Sequence, residues 1–86
     1  MNKSLKLKFE SNNMQDITEV EDTIKTRFRK YSDKSIANLF YWGTRLKRSG
    51  KHKELSHSLH IYQNEASAEV YNILRDNFKD ILEEVN

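Results

Sequence analysis

Asn38-Leu39-Phe40-Tyr41-Trp42-Gly43-Thr44-Arg45-Leu46-Lys47-Arg48-Ser49-Gly50-Lys51-His52-Lys53, followed after five intervening residues by Leu59-His60-Ile61-Tyr62, is the stretch on which the fold turns. Two readings are self-consistent. As strands, residues 38–44 and 59–62 are dense in aromatic β-formers, and Ser49-Gly50-Lys51 supplies the turn between them. As helices, Ile36, Leu39, Phe40, Gly43 and Leu46 fall on one stripe, Gly50 ends it, and Leu55, Leu59 and Tyr62 stripe a second helix.

The ends of the chain favour the strands. Leu5, Leu7 and Phe9 alternate with Lys6, Lys8 and Glu10, which is the period of a half-buried strand with lysines on its polar face. A lone strand needs partners for its backbone, and a hairpin over residues 35–63 provides them; the helical reading would force pairing across a dimer. Ser11-Asn12-Asn13 has turn chemistry. Thr18-Glu19-Val20-Glu21 then reads as a capping box opening a helix over residues 18–31, with Val20, Ile24, Phe28 and Tyr31 on its apolar stripe. Val70, Ile73, Leu74, Phe78, Ile81, Leu82 and Val85 predict a closing helix over residues 66–85, whose acidic end at Glu83 and Glu84 faces solvent or a partner. The expectation is an α+β fold of order β-α-β-β-α, one domain over residues 1–86, with two helices packed on one face of an antiparallel-rich sheet. The alternative is a mostly helical chain with one N-terminal strand.

Composition narrows the function classes. A chain of 86 residues builds one modest core. It has no cysteine, so a disulfide framework, a thiolate zinc site and a thiol nucleophile are all excluded. No apolar run approaches the ~20 residues of a bilayer span, and the charged opening Met1-Asn2-Lys3-Ser4 is unlike a secretory signal; a soluble, cytoplasmic protein is expected.

The net charge of +2 hides a strong segregation. Residues 1–53 hold 13 Lys/Arg against 6 Asp/Glu, whereas residues 54–86 hold 2 against 7. A basic half attracts polyanions, and its densest part is the hairpin bearing Arg45, Lys47, Arg48, Lys51 and Lys53. Closely spaced cations there displace condensed counterions from phosphates, the arginines bidentately and the lysines as point charges. Tyr41 and Trp42 beside them are candidates to stack on unpaired bases, with burial of Trp42 in the core as the competing reading.

Leu7-Lys8-Phe9-Glu10-Ser11-Asn12-Asn13-Met14-Gln15-Asp16-Ile17-Thr18-Glu19 resembles the opening of the ribosome hibernation promoting factor family, also called sigma-54 modulation proteins. Phe28-Arg29-Lys30-Tyr31-Ser32-Asp33-Lys34 is similar to the Lys-rich, aromatic end of that family's first helix, and Tyr71-Asn72-Ile73-Leu74-Arg75-Asp76 to its closing helix. The resemblance implies a domain that occupies the small ribosomal subunit near the decoding channel, with basic residues on ribosomal RNA. It would give that role to Lys25, Arg29 and Lys30 of the first helix together with the hairpin cations. The family sheet has four strands, and the distance from Gly50 to the last helix leaves room for about one fewer.

Catalysis is not expected. His52, His57 and His60 lack a cysteine or a well-spaced carboxylate to complete a metal site, and on a strand His57 and His60 point to opposite faces. Ser56 and Ser58 have no glycine-framed elbow, and Gly43 and Gly50 alone form no phosphate-cradling loop. No cofactor, small-molecule substrate or membrane partner is expected. The expected partner is ribosomal or other structured RNA, in a non-enzymatic protein that blocks or modulates translation. Two alternatives remain: a small inhibitor or adaptor acting on a protein, and a ribbon-helix-helix DNA-binding dimer using Lys6 and Lys8.

Overall fold

Alternation at the N-terminus produces strand β1, Lys6–Ser11, with Leu7 buried on one side and the lysines on the other. A computed structural model describes residues 5–86, and the charged opening at residues 1–4 lies outside the described residues. The chain then forms α1 (Met14–Phe28), β2 (Tyr41–Ser49), β3 (His52–Tyr62), a single 3-10 turn, α2 (Ala68–Asn77) and β4 (Glu83–Val85). The α+β class and the β-α-β-β-α order are those expected, but a further strand follows α2, so the sheet has four strands and the expectation of one fewer is overturned. The helical alternative for residues 35–63 is overturned: β2 and β3 pair antiparallel in unbroken register from Tyr41↔His60 to Ser49↔His52.

The four strands form one antiparallel sheet in the order β2-β3-β1-β4, which is the connectivity of the split β-α-β, ferredoxin-like motif. Leu7, Leu59 and Ile61 face one side of the sheet, and there they share a core with Ile17, Ile24 and Phe28 of α1 and Val70, Tyr71 and Leu74 of α2. Each such side chain contributes roughly 1.5–3 kcal/mol on burial, so both helices are held to that face and the other remains open.

Both helices differ from the periodicity reading in their bounds: α1 spans Met14–Phe28 rather than 18–31, and α2 spans Ala68–Asn77 rather than 66–85. α1 begins at an Asn13 cap, whose side chain accepts from the Gln15 amide at 3.0 Å, while Ser11 Oγ donates to Asp16 at 2.5 Å. Thr18 and Glu21 therefore lie inside the helix and form no capping box. Tyr31 falls beyond its end, with its ring edge-on to Phe78. α2 stops at Asn77, where the Asn77 side-chain amide donates to the Ile73 carbonyl at 2.9 Å and competes with continuation of the helix. Phe78, Ile81 and Leu82 keep their three- and four-residue spacing in a turn closed by the Leu82 amide on the Phe78 carbonyl at 2.7 Å. Glu83–Val85, expected as helix, pairs with the second edge of β1. Two glutamates disfavoured at the negative end of a helix dipole are thereby placed on a strand.

Candidate nucleic-acid interface

The β2–β3 hairpin outruns the rest of the sheet. Pairing of β1 with β3 ends at Ser11↔His57, so the pairs from Arg45↔Ser56 to the tip have no third strand beside them. At the usual strand rise this two-stranded ribbon reaches about 15 Å past the core. Its turn is set by Gly50, which has φ 61 and is followed by Lys51 at negative φ, the pattern of a two-residue II′ hairpin.

Register assigns every side chain of the ribbon to a face. Arg45, Lys47, Ser49, His52, Glu54 and Ser56 lie on the open face; Leu46, Arg48, Lys53 and Leu55 lie on the other. Leu46 and Leu55 oppose each other and are 45% and 51% exposed. Arg48 and Lys53 also oppose each other, a like-charge pair in direct cross-strand register, which is unfavourable in an isolated ribbon. Among the described residues Arg45, Arg48, Lys51 and Lys53 take part in no ion pair, and Lys47 has only a long one to Glu10, at 3.9 Å.

The cations expected from α1 are not gathered with these. α1 runs back along the sheet, so Arg29 and Lys30, just past its C-terminal end, are exposed at the end away from the hairpin tip. Lys25 is engaged by Glu21 at 3.1 Å and sits over the Phe40 ring at 5.6 Å. Other cations of the basic half are matched by the acidic tail, Arg27 with Asp80 at 2.9 Å and Lys34 with Glu69 at 2.6 Å. The basic half thus presents two separate cationic regions rather than one face.

Tyr41 and Trp42 separate in the same way, because neighbours on a strand point to opposite sides. Trp42 is 47% exposed, is not core, and donates through Nε1 to Glu21 at 2.9 Å on the helix side. Tyr41 stands on the open face, edge-on to Tyr62 at 5.3 Å, with its hydroxyl donating to Glu65 at 3.0 Å, which pushes the phenol pKa up.

The open face contains residues that the sequence reading does not assemble. Lys8 lies opposite His60 and Lys6 opposite Tyr62, so β1 and β3 place two lysines beside an imidazole and a phenol. His60 stacks with Tyr62 at 5.9 Å, and Lys6 Nζ lies 5.8 Å from the Tyr62 ring centre. Burial, then Lys6 and Lys8, hold the His60 imidazole below its ordinary range, so it is neutral at pH 7. The Lys8 amine, donating to Glu10, holds that carboxyl below the usual carboxylate range. The signal for this cluster is present in the pattern: with Leu59 and Ile61 facing the core, His60 and Tyr62 fall on the lysine side.

His57 turns to the helix side with Thr44 at 3.0 Å, away from His60. Among the described residues no three His, Asp or Glu side chains are grouped to hold a metal ion, and no helix is long and apolar enough to cross a membrane. β1 is paired on both edges, so it has no free edge for the intermolecular ribbon of a ribbon-helix-helix dimer.

The fold and this surface define a small α+β domain with a covered helix face, an open polar sheet face and a projecting basic ribbon. In comparison with known proteins the chain matches no family model, no curated protein and no solved structure.

Proposed function

We propose that this protein is a non-enzymatic, cytoplasmic RNA-binding module that grips ribosomal or other structured RNA through the β2–β3 ribbon and thereby modulates translation. The observation that carries the reading is the ribbon itself: Arg48 opposite Lys53, with Arg45, Lys47 and Lys51 on the same projection beyond the core. Exposed like charges held face to face are a local cost that a polyanion converts into attraction. The sequence resemblance to hibernation promoting factors supplies the ribosomal context.

Co-sedimentation with ribosomes over a salt series tests it. The triple variant Arg45→Ala, Lys47→Ala, Arg48→Ala should bind more weakly, and its logarithmic salt slope should be shallower by about 2, at ~0.7 for each phosphate that is no longer neutralised. Unchanged co-sedimentation overturns the reading.

A protein partner is the second reading, favoured by Leu46 and Leu55 exposed together on the underside of the ribbon and by exposed Trp42. It predicts a complex that survives nuclease and high salt and is lost on Trp42→Ala or Glu83→Ala.

A further inference from the structure

The open sheet face carries a second site, which shares Arg45 and Lys47 with the ribbon and adds groups from β1 and β3. A trough of about 250 Å³ crosses it, with Lys6, Lys8, Arg45 and Lys47 around its rim. Its floor is made of small residues: Ser58 lies opposite Gly43, and Ser56, itself buried, lies opposite Arg45. A Cβ at Gly43 would approach Ser58 Oγ to 3.1 Å, so glycine keeps this floor low. At one end stand the rings of Tyr41, His60 and Tyr62. Glu10 is the one acidic side chain lining the trough, and Lys8 and Lys47 neutralise it.

Resting on the RNA-binding reading, we propose that this trough takes an unpaired nucleotide of the RNA, its base stacked on the Tyr41–Tyr62 cluster and its phosphate held by Lys6, Lys8 and Arg45. Charge complementarity selects the occupant: four cations and one carboxylate line the trough, and the Tyr62 ring at its end lies 5.8 Å from Lys6 Nζ. A neutral His60 ring extends the stacking surface without adding a charge. Paired bases present no free face to such a cluster, so the trough discriminates single strands from duplex, whereas the ribbon does not.

Fluorescence anisotropy of a labelled single-stranded RNA 10-mer and of the same sequence as a duplex, both at fixed salt, tests the assignment. The wild type should prefer the single strand. The double variant Tyr41→Ala, Tyr62→Ala should lose roughly tenfold in single-strand affinity, in the range of stacking on one base, and leave duplex binding unchanged. The pair Tyr41→Phe, Tyr62→Phe should retain the preference, since the rings and not the hydroxyls are used. Amide spectra confirming the folded state accompany each variant. If the alanine pair binds single strands as well as wild type while the pair Arg48→Ala, Lys53→Ala, on the other face of the ribbon, does not, the trough is overturned and the ribbon reading stands. If the wild type binds neither RNA nor ribosomes, both are overturned.

Discussion

The hydroxyl of Tyr71, on a side chain with no exposed surface, donates to the Glu84 carboxylate at 2.7 Å and so ties α2 to the last strand. Burial, and then this hydrogen bond, push the phenol pKa well above its ordinary value. Removing the hydroxyl should detach β4. Tyr71→Phe is expected to lose about 1.5 kcal/mol, the worth of a hydrogen bond to a charged acceptor, in urea unfolding. Glu84→Gln, which keeps an acceptor, should lose less. A larger loss in Glu84→Gln than in Tyr71→Phe would show that the carboxylate charge, not this hydrogen bond, holds the strand.

Gly50 makes a prediction about local rather than global stability. Its φ of 61 is costly for a residue with a Cβ, although nothing lies within 4 Å of where that atom would be. Gly50→Ala should therefore cost about 1 kcal/mol through backbone strain alone. The ribbon has no packed core beneath it, so hydrogen exchange should quicken at the amides of Lys47 and Glu54, which bond across it, with those of Leu7, Leu59 and Ile61 unaffected. A uniform loss of protection would mean that the ribbon and the core unfold as one unit.

His60 predicts a pH dependence. Its folded pKa lies below the unfolded value of about 6.5, first through burial and then through Lys6 and Lys8, with Glu10 acting in the opposite direction. The folded state therefore binds fewer protons than the unfolded one. The stability this confers is fully present above pH 6.5 and is lost as the pH falls through the lower folded pKa. Urea midpoints at pH 7.5 and 5.5 should fall further for wild type than for His60→Gln. The carboxyls with lowered pKa values, Glu10, Asp76 and Asp80, titrate below this window and leave it clean.

Much of this architecture is legible in the residues, and the misses share a physical cause. Period-two alternation at Leu5, Leu7 and Phe9, and aromatic β-formers at residues 38–44 and 59–62, identify three strands because each has a core face to satisfy. The fourth is hidden: Glu83–Val85 is too short to alternate, and Phe78, Ile81 and Leu82 keep a helical spacing through a turn that is not a helix. β4 exists because β1 has a second edge to fill, a tertiary demand with no local signal. The ribbon cations are evident from charge density. Their separation from Arg29 and Lys30 is not, since it depends on α1 running back along the sheet. The exposure of Trp42 is equally hidden, because strand alternation alone puts it on the helix side without revealing that α1 covers the edge strand β2 only in part.

The opposed pair Arg48 and Lys53 separates stability from binding, and it gives the sharpest test of what the ribbon is for. On the same face in direct register, two cations repel by a few tenths of a kcal/mol, screened because both are exposed. Lys53→Glu would replace that repulsion with a cross-strand ion pair. The variant should protect the ribbon amides from exchange slightly better than wild type while binding RNA more weakly, because one phosphate goes without its cation and a repelling charge is added. If the repulsion is merely tolerated and the ribbon has no anionic partner, the stabilised variant should bind every candidate RNA as the wild type does. A chain that keeps two positive charges face to face at the far end of an unsupported hairpin gains from them only when a polyanion lies across both.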